Sequence, residues 1–278
     1  MLRKDYKRGH HIMNCPDCHS SNTRKNKKTT ILGYKRYHCR ACNRSYNERT
    51  GTEYNNIEYR TEVVMIAVFY YYRFKLSLDD VVVLMAMRNI SLSHQTVANW
   101  VYRFGIDIGI KMRARRYKQC GDLWHADATY IKVEGRWCYL YRAIDKEGNL
   151  VDVYLSDVRD QAAAESFFEQ SAKTCGIYPY MITTDKEPAL YPAIQNTFGD
   201  YTDHRDNKFM NNRLEQDHRG PKSRIDVMKG FKNIFNAQIF CTVFEEIRQF
   251  FRMKNKTRGE KRRLFAPRFH EFNQLAVI

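Results

Sequence analysis

A carboxylate stands in the middle of a stretch that otherwise reads as a buried strand. From Leu123 to Val133 the chain runs Leu-Trp-His-Ala-Asp-Ala-Thr-Tyr-Ile-Lys-Val, with aromatic, β-branched and small residues around Asp127. Two more β-rich runs follow, Trp137 to Asp145 and Asn149 to Ser156, divided by Glu134-Gly135-Arg136 and Lys146-Glu147-Gly148, both suited to hairpin connections. A helix is expected over Gln161 to Lys173, then a short strand from Tyr180 to Thr184 that ends at Asp185. Strands in hairpins, then a helix and a further strand, imply an α/β fold with a sheet of mixed direction. Inside such a strand Asp127 is costly unless it is paired or holds a metal. A salt-bridged core aspartate is the competing reading.

The chain carries a formal charge of +16 over 278 residues. Through Thr50 there are 13 Lys and Arg against 3 Asp and Glu, and a second basic run extends from Arg252 to Arg263. Such an excess calls for an anionic partner, and DNA neutralised by these side chains would release condensed counterions. Charge alone does not separate a DNA surface from a solvated Lys-rich face. At 43% hydrophobic and 14% aromatic residues the chain is too apolar to be disordered, and no apolar run reaches the roughly 20 residues of a membrane span. The opening Met1-Leu2-Arg3-Lys4-Asp5-Tyr6 has no apolar signal region, so an intracellular, cytoplasmic protein is expected.

Cys15-Pro16-Asp17-Cys18 and Cys39-Arg40-Ala41-Cys42 are two knuckles whose spacing suits a zinc ribbon closed by four thiolates. His19 and His38 are near enough to compete as ligands, and a disulfide or free thiols would be the bland alternative. So short and charged a segment buries little apolar area, and its folding should depend on the metal. Cys120, Cys138, Cys175 and Cys241 show no pairing pattern and are read as small buried hydrophobes.

Between Thr61 and Phe104 three helices are expected, near Thr61 to Phe74, Ser77 to Met87 and from an N-cap at Ser93 onward. In the third, Val97, Trp100, Val101 and Phe104 recur at i, i+3, i+4 and i+7, which turns His94, Gln95, Thr96, Asn99 and Arg103 outward. The short Arg88-Asn89-Ile90-Ser91-Leu92 connection makes a helix-turn-helix, whose second helix would bring Gln95 and Asn99 to base edges in a major groove. A purely structural helix pair is the alternative. Arg113 to Lys118 is basic without an apolar period and is expected to be a linker lying near phosphate.

Beyond Leu123 the motifs resemble those of the DDE transposases of bacterial and archaeal insertion sequences, most closely insertion-sequence family six. The resemblance runs through Trp124-His125-Ala126-Asp127-Ala128-Thr129-Tyr130-Ile131-Lys132-Val133, Tyr139-Leu140-Tyr141-Arg142-Ala143-Ile144-Asp145 and Thr184-Asp185-Lys186. It continues through Asn211-Asn212-Arg213-Leu214-Glu215-Gln216-Asp217-His218-Arg219, Lys222 and Gly230-Phe231-Lys232. It implies an RNase H-like catalytic core in which Asp127, Asp185 and Glu215 hold two Mg2+ or Mn2+ ions, and it matches Lys222 to a basic residue two helical turns after the glutamate. It also implies DNA partners, the element's inverted repeats and a target, and a homodimer or larger assembly. Arg219 and Lys222 join Gln95, Thr96, Asn99 and Arg103 as candidate DNA contacts. Asn211, Asn212 and His218 could orient Glu215, while Gln216 and Asp217 fit structural caps. The interval between Asp185 and Glu215 is short for the family, and Gly220-Pro221 is expected to interrupt the helix between Glu215 and Lys222.

Asp122, Asp145, Asp152, Asp157, Asp160 and Asp217 are the rival acids, each expected to serve solubility or structure. The expected order is a zinc ribbon over 1–52, a helix-turn-helix domain over 57–112, the catalytic domain over 119–255 and a basic tail over 256–278. The function expected is metal-dependent cleavage and transfer of DNA strands. The rivals are an inactive DNA-binding regulator and a nuclease that cuts without joining.

Overall fold

The computed structural model describes residues 13–185, 187–206, 212–228 and 230–276, with the side chains of 212–218 left out. The chain divides into two compact units, Met1–Met65 with His270–Ile278, and Ile66–Phe269.

In the first unit, strands β1 (Thr23–Thr29), β2 (Lys35–Cys39) and β3 (Ser45–Asn47) form an antiparallel sheet in that order. Its small core is made of Cys15, Cys39, Tyr37 and Tyr46, with the two tyrosine rings stacked 5.4 Å apart. Arg49 organises the segment that follows. Its guanidinium donates to the carbonyls of Asn55, Ile57 and Tyr59 at 3.1, 2.7 and 2.9 Å and lies 4.7 Å from the Tyr34 ring centre.

The second unit begins inside the first of three helices. Helices α1 (Thr61–Arg73), α2 (Leu78–Ala86) and α3 (His94–Arg115) follow in order, close to the expected bounds at their starts. Ser77 and Asp80 form a reciprocal capping box on α2, and Ser93 caps α3 by accepting from the Thr96 N–H. Helix α3 is longer than expected and runs through Arg113 to Arg115. The basic stretch is therefore helical as far as Arg115, and Arg116 to Lys118 form the turn that follows. Its Gly105 sits so close to α1 that an added Cβ would lie 2.7 Å from the Tyr72 hydroxyl.

A five-stranded sheet follows, in the order β6-β5-β4-β7-β8. Its strands are β4 (Leu123–Val133), β5 (Arg136–Asp145), β6 (Leu150–Ser156), β7 (Met181–Thr184) and β8 (Asp203–Asp206). The first three are antiparallel, while β7 and β8 run parallel to β4. This is the mixed α/β sheet expected, in RNase H-like order. Positive φ at Glu134 (51°) and Gly135 (78°), with Val133 paired to Arg136, makes the β4–β5 turn a two-residue connection of the primed kind that matches strand twist.

Helices α4 (Gln161–Cys175) and α5 (Leu190–Phe198) cover one face of the sheet. Phe167, Phe168, Ile194 and Phe198 pack there on Trp124, Ala126, Ala128, Tyr141 and Ala143, the even positions of β4 and their cross-strand partners on β5. Within this core the thiols of Cys120 and Cys175 lie 2.7 Å apart, both free. Helices α6 (Asn212–Val227) and α7 (Ile234–Phe250) lie against β4 and β6 respectively, and α8 (Arg258–Gln274) closes the chain.

Contrary to expectation, α6 continues through Pro221. Tertiary packing outweighs the lost hydrogen bond. Arg224, one turn on, is buried, donates to the carbonyls of Tyr71 and Leu76 at 3.0 Å each, and lies 4.7 Å from the Tyr71 ring centre. Gly220 leaves room for the Arg248 guanidinium, which would be 3.1 Å from an added Cβ. No helix among the described residues is long and apolar enough to cross a membrane.

Candidate functional site

The odd positions of β4 face away from the α4–α5 core, and Asp127 is among them, half-buried. Its carboxylate accepts from the Ala128 N–H at 2.7 Å. Strand β7 runs parallel beside it, in the register Leu123 to Met181, Trp124 to Ile182 and His125 to Thr183. Continued by two residues, that register sets Asp127 beside Asp185, which follows the last residue of β7. Neighbouring strands lie about 4.8 Å apart, so a continuation of that spacing past the end of β7 would bring the two acids together. Asp185 accepts from the Glu187 N–H at 3.3 Å. The short strand exists because Met181 to Thr184 is mostly buried, between β4 and the edge strand β8.

Glu215 lies in the first turn of α6, the helix that packs on β4. Its side chain, with those of Asn212, Gln216, Asp217 and His218, falls outside the described residues, as do Lys186 and Asn211. Further along α6, Arg219 and Lys222 are exposed.

Sequence reasoning passed over several charged groups around this site. Arg142 pairs with Asp127 across β4 and β5, is fully buried, and donates to Glu245 of α7 at 2.9 Å. A cation inside Tyr-Leu-Tyr-Arg-Ala-Ile is as costly as an anion inside the first strand, so the reasoning applied to Asp127 would have found it. Arg159 donates to the Tyr130 hydroxyl at 2.9 Å and pairs with Glu187 at 2.5 Å. Although desolvation works against its charged form, the Glu187, Tyr130 and Asp185 side chains together hold its pKa above the ordinary arginine value. On the β8 side, His204 shares a 2.8 Å hydrogen bond with the Thr184 hydroxyl, and burial lowers its pKa against a weaker opposing pull from Asp206.

Three of the rival acids, Asp145, Asp152 and Asp160, have structural partners. Asp145 accepts from Gly121 and Asn149, and Asp160 caps α4. Asp152 is buried against Arg113 and Thr174, with Arg116 at 3.8 Å. Arg116 also grips Glu246 through contacts of 2.7 to 3.0 Å and donates to the carbonyls of Leu150 and Val151. Arg113 and Arg116, two of the residues expected to lie along phosphate, thus neutralise acids inside the fold, while Arg115 and Lys118 are exposed.

On α3, Val97, Trp100, Val101 and Phe104 are buried, while Gln95, Asn99 and Arg103 are exposed and Thr96 is partly so. Gln95 donates to Asn99 at 2.8 Å, and the Thr96 hydroxyl lies 2.8 Å from that of Ser93.

In the first unit the thiols of Cys15, Cys18, Cys39 and Cys42 all lie within 4.8 Å of one another, with Cys15 to Cys42 at 3.6 Å and Cys18 to Cys39 at 3.5 Å. Tetrahedral zinc with bonds of about 2.3 Å spaces its sulfurs roughly 3.8 Å apart, so the four fit that ion. Within the cluster the backbone N–H of Cys42 is the chief cause that lowers the Cys39 thiol to about 7, while burial and neighbouring thiols raise those of Cys18 and Cys42, as when four close thiols cannot all ionise without a cation. His38 instead lies 3.4 Å from the Ser45 hydroxyl, and neither it nor His19 belongs to this group.

The family described as a DDE domain, of the IS240 transposase type, matches residues 121–254. Two Staphylococcus aureus proteins, the transposase for the insertion sequence-like element IS431mec and that for element IS257 in transposon Tn4003, are each 34% identical over 171 residues. Each alignment covers 60% of this chain and 75% of the relative. This chain belongs to the DDE transposases of insertion sequences. Among solved structures, the catalytic core domain of HTLV-2 integrase in complex with magnesium aligns with a TM-score of 0.39 and 17% identity, over 50% of this chain and 91% of that one.

Proposed function

We propose that this transposase recognises the inverted ends of its element, cuts them to leave 3′-hydroxyls, and joins those ends to target DNA, with Asp127, Asp185 and Glu215 as its metal-binding acids. The observation that supports this is the parallel register of β4 and β7, which ends two residues short of Asp127 and Asp185, with helix α6 packed against β4. Carboxylate oxygens are hard donors, which suit magnesium or manganese. Two such ions, when bound, would supply activation of the attacking oxygen and neutralisation of charge at the leaving oxygen. Asp127 and Asp185 anchor the pair from the sheet, and Glu215 completes the set from the helix. The Arg142–Glu245 pair behind Asp127 holds the strand and α7 in fixed relation. Water is the first nucleophile and the freed DNA hydroxyl the second, so no covalent enzyme intermediate is needed.

End recognition falls to α3, with Gln95, Thr96, Asn99 and Arg103 toward the groove, and Arg219 and Lys222 contact phosphate near the cut. The four-cysteine module binds zinc as a structural ion. The protein acts in the cytoplasm on nucleoid DNA, as a homodimer or larger assembly that holds both ends.

A strand-transfer assay tests this. Labelled element ends, a target plasmid and magnesium are incubated with wild type or Asp127→Asn. Cleavage and joining by wild type alone is the expected result. Cleavage without joining would make the protein a nuclease, and binding without cleavage by either would make it a regulator.

A further inference from the structure

Near the start of β4 the Ile66–Phe269 unit contains a second feature, whose lining includes neither Asp127 nor Asp185. A cavity of about 870 Å³ opens between the end of α1, the β5–β6 turn, the end of α7 and the start of α8. Arg73, Lys146, Arg248, Arg252, Lys254 and Lys261 line it. Among the described residues only Glu147 and Glu245 bring negative charge to its wall, and Glu245 is already engaged by Arg142 and Arg248.

Solvation of a surface does not explain this arrangement. The cations come from separate elements and converge on a concavity. The α7 macrodipole favours positive charge at its C-terminal end, but it amounts to about half an elementary charge, far short of six cations. Desolvation, and then the neighbouring Arg248, lower the pKa of Arg73, as expected where like charges are crowded together. The wall is also tightly fitted. Gly148, with φ of 75°, lies so close to Arg252 that an added Cβ would meet its guanidinium at 2.6 Å.

We infer that this cavity is a phosphate-binding site that grips the DNA backbone next to the cutting site. The inference rests on the function proposed above and adds a place and a ligand to it. Ile144, in the cavity wall, pairs with His125, two residues before Asp127. At a rise of about 3.3 Å per residue the two places are roughly 7 Å apart along the strand. That is about two nucleotide steps of duplex, at roughly 3.4 Å each. Glu245 is shared between them, since it lines the cavity and also holds Arg142 opposite Asp127. The basic run from Arg252 to Arg263, without a role in the acid site, supplies three of the six cations.

The test uses the full chain and a fluorescent duplex of arbitrary sequence, with affinity measured by anisotropy across a salt series. Arg252→Ala/Lys261→Ala removes two exposed cations from the cavity. Arg136→Ala/Lys173→Ala removes two exposed cations elsewhere. Each lost phosphate contact should lower the slope of log affinity against log salt by about 0.9, so the cavity pair should lower it by roughly 1.8 and weaken binding roughly 30-fold at 0.15 M salt. The control pair should leave the slope within error. Lys146→Glu, on the exposed turn, repeats the test in a single change should the double variant fold poorly. An unchanged slope in cavity variants, with wild type binding normally, would overturn the cavity while leaving the proposed function intact. Failure of wild type to bind any duplex would overturn the function and the cavity with it. Inorganic pyrophosphate separates the two sources of phosphate: if cavity variants lose pyrophosphate binding but keep duplex binding, the site serves a small anion and the DNA assignment is wrong.

Discussion

Removing Arg116 should unfold the catalytic unit more readily than removing its partner Glu246. The Arg116 side chain is 9% exposed and that of Glu246 1%, and the guanidinium reaches both carboxylate oxygens as well as two strand carbonyls. Loss of one member of so buried a pair costs about 3–5 kcal/mol, mostly because the other charge is left unpaired. In Arg116→Met, Glu246 is stranded while Asp152 keeps Arg113. In Glu246→Leu, by contrast, Arg116 retains its two carbonyls and has Asp152 at 3.8 Å, so the expected cost is lower, about 1–3 kcal/mol. All three tryptophans, Trp100, Trp124 and Trp137, lie in Ile66–Phe269, so urea unfolding followed by their fluorescence reports on that unit. A pH series separates charge from packing. Burial already raises the Glu246 pKa and Arg116 opposes it, so the variant's folded pKa rises further. A raised folded pKa means stability that is present below the unfolded value, near 4.3, and lost as pH climbs through the folded one. Arg116→Met should therefore be less impaired at pH 5 than at pH 8. A cost below about 1 kcal/mol, or one independent of pH, would refute this electrostatic account.

Four other outcomes are expected. Asp127→Asn and Asp185→Asn should each reduce cleavage by on the order of a thousandfold while duplex affinity in anisotropy stays within about twofold. Chelation of metal, or Cys39→Ser, should make Met13 to Thr50 sensitive to protease and leave tryptophan fluorescence of the larger unit unchanged; a ribbon equally resistant without metal would contradict the zinc assignment. Gly105→Ala, which in an open helix would stabilise by about 1 kcal/mol, should instead cost about 1–2 kcal/mol in urea because the Tyr72 ring must move. With its folded pKa depressed, His204 contributes stability that is present above the unfolded value near 6.5 and lost as pH falls through the folded one, so His204→Gln should flatten the decline of melting temperature below neutral pH.

Much of the fold could be read from local patterns. The β4–β5 hairpin followed from the alternation around Glu134-Gly135, and α3 followed from Val97, Trp100, Val101 and Phe104, because turn geometry and helical period depend on near neighbours. What escaped reading was held by distant partners. Arg113 and Arg116 looked like a solvated linker because Asp152 and Glu246 lie far along the chain. Pro221 looked like a helix breaker because Tyr71 and Leu76, which anchor Arg224, are some 150 residues away. Within the candidate site, the motifs singled out Asp127 and Asp185 and the resemblance made them neighbours, but the register that aligns β4 with β7, Trp124 with Ile182 and His125 with Thr183, could not be read from either strand alone. Arg142 is legible in principle, since a cation inside so apolar a strand needs a buried partner as much as Asp127 does, and that partner, Glu245, is about a hundred residues away.

That register has a consequence for how the enzyme can evolve. On the proposed function, the gap between Asp127 and Asp185 is ruled off by the spacing of β4 and β7, about 4.8 Å, which is of the order of the separation of paired catalytic ions. Side-chain substitution elsewhere cannot stretch or shrink that ruler. Helix α3, the four-cysteine module and the basic cavity are free to drift, while the spacing of those two strands stays written in the peptide backbone.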